Sequence, residues 1–281
     1  MCRIPNLSQQ RQHECNSADG QGDLFDAGGW SAVAPASVVA TSILSSPKAL
    51  DDAALIAAIP YAGLATCDML AAEVVARRLV AAVPALEELC RRFKGFGRLH
   101  PVREQMIALD TMAALGGQLA TTAVTRLISE GVIEGPGLRR ALAAAVVLKA
   151  CLPADIVLAS LSDSEPEMRA LACHCARFWP QAVPRLIELL DDLHADVADA
   201  AAVTLGEMGR NEAKSHLMRL IQTAPSVKVV DALVAIADDN CFVLLGRVAQ
   251  KHADLYPMIC QALSEVDHPR AVTVLRRLMP P

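Results

Sequence analysis

The chain has 281 residues, 53% hydrophobic, 20% charged and 3% aromatic, with a net charge of −5. Its apolar excess is mostly Ala, Leu and Val, and Ala and Leu head the helix scale, so an almost purely helical fold of one or two domains is expected. No window holds the roughly 18 uninterrupted apolar residues of a membrane span, the acidic balance argues against nucleic acid as the main partner, and "MCRIPNLSQQ" is no secretory signal. Nine cysteines without such a signal and without any CxxC read as reduced thiols of a cytoplasmic protein.

Residues 1–48 are expected to be a flexible N-terminal tail, the polar, Gly-rich "NSADGQGDLFDAGG" being its clearest part. Within it, Gln21, Asp23, Leu24 and Phe25 of "QGDLF" resemble the Q-x-[S/D]-L-F peptide by which bacterial proteins dock on the DNA sliding clamp, although Gly22 stands where Leu is frequent. Two adjacent apolar anchors and a polar fix suit such a pocket. The alternative is that Leu24, Phe25 and Trp30 fold back over the first repeat as a cap.

From about Ala49 to residue 281 the chain alternates apolar helical blocks with short turns marked by Pro, Gly or Asp. The stretch "CRRFKGFGRLHPVR" comes early in this region. It interleaves Arg91, Arg92, Lys94, Arg98 and Arg103 with Phe93 and Phe96, a composition that could hold phosphates or stack on bases. Read more plainly, it is a long connection between repeats, with Phe93 buried and its cations solvated.

A register then repeats: a turn, an apolar anchor and an Ala-rich run, followed by a second apolar block. The anchors Val102, Leu138, Met168, Val197 and Val227 recur after 36, 30, 29 and 30 residues. This predicts a solenoid of about six or seven antiparallel helix pairs. Aligning the second blocks places Arg126, Glu188, Arg219, Arg247 and Arg277 at equivalent positions. In a solenoid such positions stack into a line. A mostly cationic line suits carboxylates or phosphates, or else each long stem merely covers core Leu with its charge in water.

"ALACHCARFW" sets Cys173, His174 and Cys175 side by side. Residues two apart on a helix lie about 200° apart around its axis, so these thiols cannot share one metal ion. The equivalent positions in other repeats are mostly small or apolar, so both thiols are expected to be packing residues.

The segment "DVADAAAVTLGEMGRNEAKSHLMRLI" resembles a HEAT repeat of the short bacterial type, also found in phycobilin lyases. The LG-x-x-G turn and the following "EA…L…LI" carry the likeness. The resemblance implies an all-α superhelix that serves as a binding scaffold and, in a minority of members, as an enzyme. The di-iron hydroxylases of this fold carry His-Glu pairs on successive repeats, whereas here the pair occurs only as His13-Glu14. An alkylpurine glycosylase groove needs aromatic residues in a basic setting, which two Trp residues in an acidic chain do not supply. The expected function is therefore a non-catalytic protein-binding scaffold with no cofactor and no metal. The alternatives are a clamp-tethered factor of DNA replication or repair, and a lyase or chaperone acting on a protein-bound cofactor.

Overall fold

The computed structural model describes residues 47–278 and shows among them fifteen α-helices and no strand. The expected tail lies outside the described residues as far as Ser46, and with it Gln21, Asp23, Leu24 and Phe25. After a short 3-10 turn at Pro47–Ala49, helix α1 (Asp52–Ala58) opens the stack. Fourteen helices follow as seven antiparallel pairs, at the upper end of the expected number. The first three pairs are α2 (Leu64–Ala76) with α3 (Val83–Arg92), α4 (Arg103–Leu115) with α5 (Gly117–Ser129), and α6 (Gly137–Val147) with α7 (Ala154–Ser160). Next come α8 (Pro166–Cys175) with α9 (Val183–Leu189) and α10 (Ala195–Glu207) with α11 (Lys214–Thr223). The stack ends with α12 (Val227–Ala235) and α13 (Asp239–Lys251), then α14 (Tyr256–Glu265) and α15 (Pro269–Leu278).

Local chemistry sets many of the boundaries. Asp51, Ser226 and Asp238 accept hydrogen bonds from the first-turn N–H groups of α1, α12 and α13, which would otherwise lack partners. Proline opens α3, α8, α9 and α14, where its missing N–H costs nothing. Helix α10 ends in a Schellman motif: Gly209 N–H donates to the Gly206 carbonyl and Arg210 N–H to that of Leu205, both at 2.9 Å. Gly209 holds the left-handed φ of +72° that this closure needs.

The first helices of the pairs, α2 through α14, pack on one another in an unbroken series. Among the second helices the close contacts are α3–α5, α11–α13 and α13–α15, so that layer is looser in the middle, where α7 and α9 have only seven residues each. The tight layer is the Ala-rich one. In α10 Ala198, Ala200, Ala201 and Ala202 are all buried. At Gly206 an added Cβ would lie 2.8 Å from the Ala232 carbonyl oxygen and 2.7 Å from Leu217, so α10 meets α11 and α12 there with no room for a methyl group. The glycines of the LG-x-x-G stretch thus do two jobs, Gly206 close packing and Gly209 helix closure. One continuous apolar core runs from Leu55 to Val274. Cys173 and Cys175 both belong to it, and burial pushes each thiol up to about 12, which keeps both protonated.

Candidate functional site

The basic cluster between α3 and α4 is tied to its surroundings residue by residue. Arg91 pairs with Glu87 at 2.7 Å and Glu130 at 2.6 Å. Arg92 donates to the carbonyls of Pro60 and Ala62, each at 2.7 Å, and its guanidinium lies over the Phe93 ring. Lys94 donates to the Glu130 carbonyl, Arg98 pairs with Glu134 at 3.2 Å, and Arg103 pairs with Asp68 at 3.1 Å. Phe93 is partly buried against the core, while Phe96 meets it edge-on and is exposed. The cluster joins neighbouring repeats, and each of its five cations already has a partner.

The second-helix ladder has the exposure its register requires. Arg126 on α5, Glu188 on α9, Arg219 on α11, Arg247 on α13 and Arg277 on α15 are all exposed. Their settings differ. Arg126 pairs at 2.9 Å with Glu87, a carboxylate it shares with Arg91. Glu188 pairs with Arg185, and Arg219 contacts the His216 ring. Arg247 and Arg277 make no ion pair among the described residues. None of the ladder residues borders one of the main cavities.

A larger feature lies on the first-helix layer. A crevice of about 600 Å³ is lined from α6, α8, α10 and α12 and the turns after α6 and α8. Residues on both outer helices of this group border one space. Val147 is 65% exposed, Phe178 42% and Val227 51%, each unusually open for a large apolar side chain. Around them stand Lys149, Arg177, Lys228, Glu207, Asp231 and His174. Lys149 sits at the end of α6 with φ +52°, a conformation that is strained for any residue with a Cβ.

The charges in the crevice bear on one another. Burial, then Lys228 and Arg177, pull His174 down to about 4, so its ring is neutral at neutral pH. Burial raises the Asp231 carboxyl; Lys149 opposes that rise and Glu265 adds to it. The Arg177 guanidinium lies 5.0 Å over the Phe178 ring. Its Nη1 is 3.9 Å from Glu207, and its buried Nη2 has no hydrogen-bond partner. A neighbouring cavity shares His174 and Lys228 and continues along Asp196, Asp199 and Leu220. These two residues therefore form a divide between the cavities.

Residues 154–237 match the profile of HEAT repeats. The matched stretch covers 84 of the chain's 281 residues. It runs from the start of α7 past the end of α12, and it contains the crevice residues from His174 to Asp231, with Val146, Val147 and Lys149 just before it. No curated protein matches the chain. The sequence does not mark the crevice residues, because they stand singly or in pairs spread over 85 positions, from Val146 to Asp231. Nor does the thirty-residue register align their charges: Lys149, Arg177 and Lys228 stand 11, 9 and 1 positions after Leu138, Met168 and Val227.

Proposed function

We propose that this chain is a non-catalytic protein-binding scaffold whose working surface is the crevice on the first-helix layer. The observation that carries the reading is the set of exposed Val147, Phe178 and Val227 inside a ring of charges, on a repeat architecture that generally serves protein interaction. The crevice lining includes no Ser, Thr, Cys or Tyr that His174 could activate, which favours binding over catalysis. We place the protein in the cytoplasm, on the support of seven described cysteines that are all free thiols. No helix among the described residues is long and apolar enough to cross a membrane. The repeat domain is read as residues 49–281.

The test is affinity capture from the source cell with the wild-type chain and with Val147→Asp and Val227→Asp. Both sites are at least half exposed, so the variants are expected to fold. Proteins retained by the wild type and lost by both variants support the reading. An identical captured set with all three baits counts against it.

A further inference from the structure

The crevice differs from the rest of the first-helix layer in how its cations are used. Elsewhere on that layer an arginine of one helix reaches a carboxylate of the next: Arg103 to Asp68, Arg140 to Asp110, and Arg139 to Glu167 at 2.8 Å. In the crevice, Lys149 and Lys228 make no ion pair among the described residues. Arg177 has only the loose 3.9 Å approach to Glu207 and an Nη2 without an acceptor. Its charge is therefore only partly offset within the chain.

The lining carries three cations against two carboxylates, Glu207 and Asp231, and the neutral His174 adds no charge. The surplus is positive, although the chain as a whole is acidic. Phe178 beneath Arg177 holds the guanidinium in a defined plane, which suits recognition of a planar carboxylate. Next to it lies the apolar surface of Val146, Val147, Phe178 and Val227.

We propose that the crevice receives an acidic peptide segment of a partner protein, with an Asp or Glu carboxylate held by Arg177 and Lys228 and an adjacent Leu- or Phe-sized side chain set on Phe178, Val147 and Val227. This rests on the scaffold reading above and adds the chemistry of the partner. Lys149, from the turn after α6, adds to the positive lining and strengthens the attraction at low salt.

The experiment pans a phage-displayed library of random dodecapeptides on the purified full chain, then measures synthetic hits by fluorescence anisotropy. The expected hits carry Asp or Glu beside Leu, Phe, Ile or Met. Lys228→Glu and Phe178→Asp each weaken them by about tenfold or more, as truncating a central charge or an apolar anchor does at other interfaces. Arg103→Glu, on the same layer but outside the crevice, changes affinity by less than about twofold. Val227→Asp serves as the second apolar variant should Phe178→Asp unfold. Hits that Phe178→Asp abolishes, but that lack acidic residues and ignore Lys228→Glu, overturn the acidic occupant and leave the scaffold reading in place. Hits indifferent to every crevice variant, or no hits at all, overturn both. A peptide of residues 16–28 sets Asp23 beside Leu24 and Phe25. If library hits bind only after residues 1–46 are deleted and this peptide displaces them, the occupant is the chain's own segment and the partner proposal falls. A dimer that Phe178→Asp dissolves would assign the crevice to a second copy, with the same result.

Discussion

From Arg91 to Arg103, five cations crowd thirteen residues and each is tied to a carboxylate or carbonyl of the chain itself, whereas Lys149, Arg177 and Lys228 come from three repeats and stand almost unpaired around one crevice. The dense cluster catches the eye in the sequence, yet apart from Glu87 its partners lie 30 to 39 residues away, in the next or preceding repeat. The dispersed cations look like ordinary surface charges until the packing of the first helices sets them around one crevice. In a solenoid, charge density along the chain marks where repeats are joined. Charge left over after joining marks where a partner can bind.

The largest effect expected from this contrast is on stability, at the joined end. The partly buried Glu87 carboxylate takes Arg91 on one oxygen and Arg126 on the other. Glu87→Ala removes both pairs at once, while Arg91 keeps Glu130 and Arg126 can turn to water. The expected cost is about 2–3 kcal/mol, below the full penalty of a broken buried pair because both arginines are partly exposed. Urea unfolding would read it. A cost under about 0.5 kcal/mol, the size of a surface pair, would break the contrast between the two regions.

How much of this was legible beforehand follows from the same distinction. The solenoid was legible because Ala- and Leu-rich blocks recur near thirty residues and because turn residues such as Gly209 and Asp238 punctuate them. The burial of Cys173 and Cys175 followed from their register, and so did the exposure of Arg126, Arg219, Arg247 and Arg277. What each of those arginines touches did not follow, since Glu87 lies 39 positions from Arg126. The crevice was least legible of all. It is lined from four first helices whose close packing shows in the sequence only as single small residues, such as Gly206, where α10 meets Ala232 of α12 with no room for a methyl group.

A second measurement sharpens the comparison through pH. His174 faces Lys228 from α12, Arg177 from the turn after its own helix, and Asp196 and Asp199 from α10. Its folded value of about 4 lies below the ordinary 6.5, so on acidification the unfolded chain takes up the proton first. The stability gained by keeping His174 neutral is complete above pH 6.5 and is lost as pH falls toward 4. The expected loss is about 2 kcal/mol, discounted for partial exposure. His174→Gln should flatten that limb of the urea-midpoint profile between pH 6.5 and 4.5. Parallel profiles for the two proteins would mean that the crevice does not hold His174 neutral.

A smaller effect of opposite sign is expected inside α10, whose last residue, Glu207, lines the crevice. The Thr204 hydroxyl is fully buried and has no hydrogen-bond partner. Thr204→Val keeps the shape and removes the orphaned group, so it should stabilise the chain by about 1 kcal/mol. A destabilised variant would show that the hydroxyl is satisfied in solution, by water or by its own helix.

The smallest effect separates stability from binding most cleanly. Lys149 and Arg78 occupy the same place in their repeats, just past the ends of α6 and α2, with φ of +52° and +54°. Both close their helices with the bonding that Gly209 uses after α10: Ala150 N–H donates to the Ala145 carbonyl at 2.9 Å, and Leu79 N–H to that of Val74 at 3.0 Å. Glycine relieves the left-handed strain of each but adds freedom to the unfolded chain. Lys149→Gly and Arg78→Gly should therefore leave stability unchanged or raise it by less than about 1 kcal/mol, alike in the two cases. Their effects on peptide binding should differ. Only Lys149 borders the crevice, so Lys149→Gly should weaken the selected acidic peptides by a fewfold and reduce the salt dependence of their binding, while Arg78→Gly changes neither. Equal losses at both positions would mean that the effect comes from helix closure rather than from charge. No loss at either would confine peptide recognition to Arg177 and Lys228.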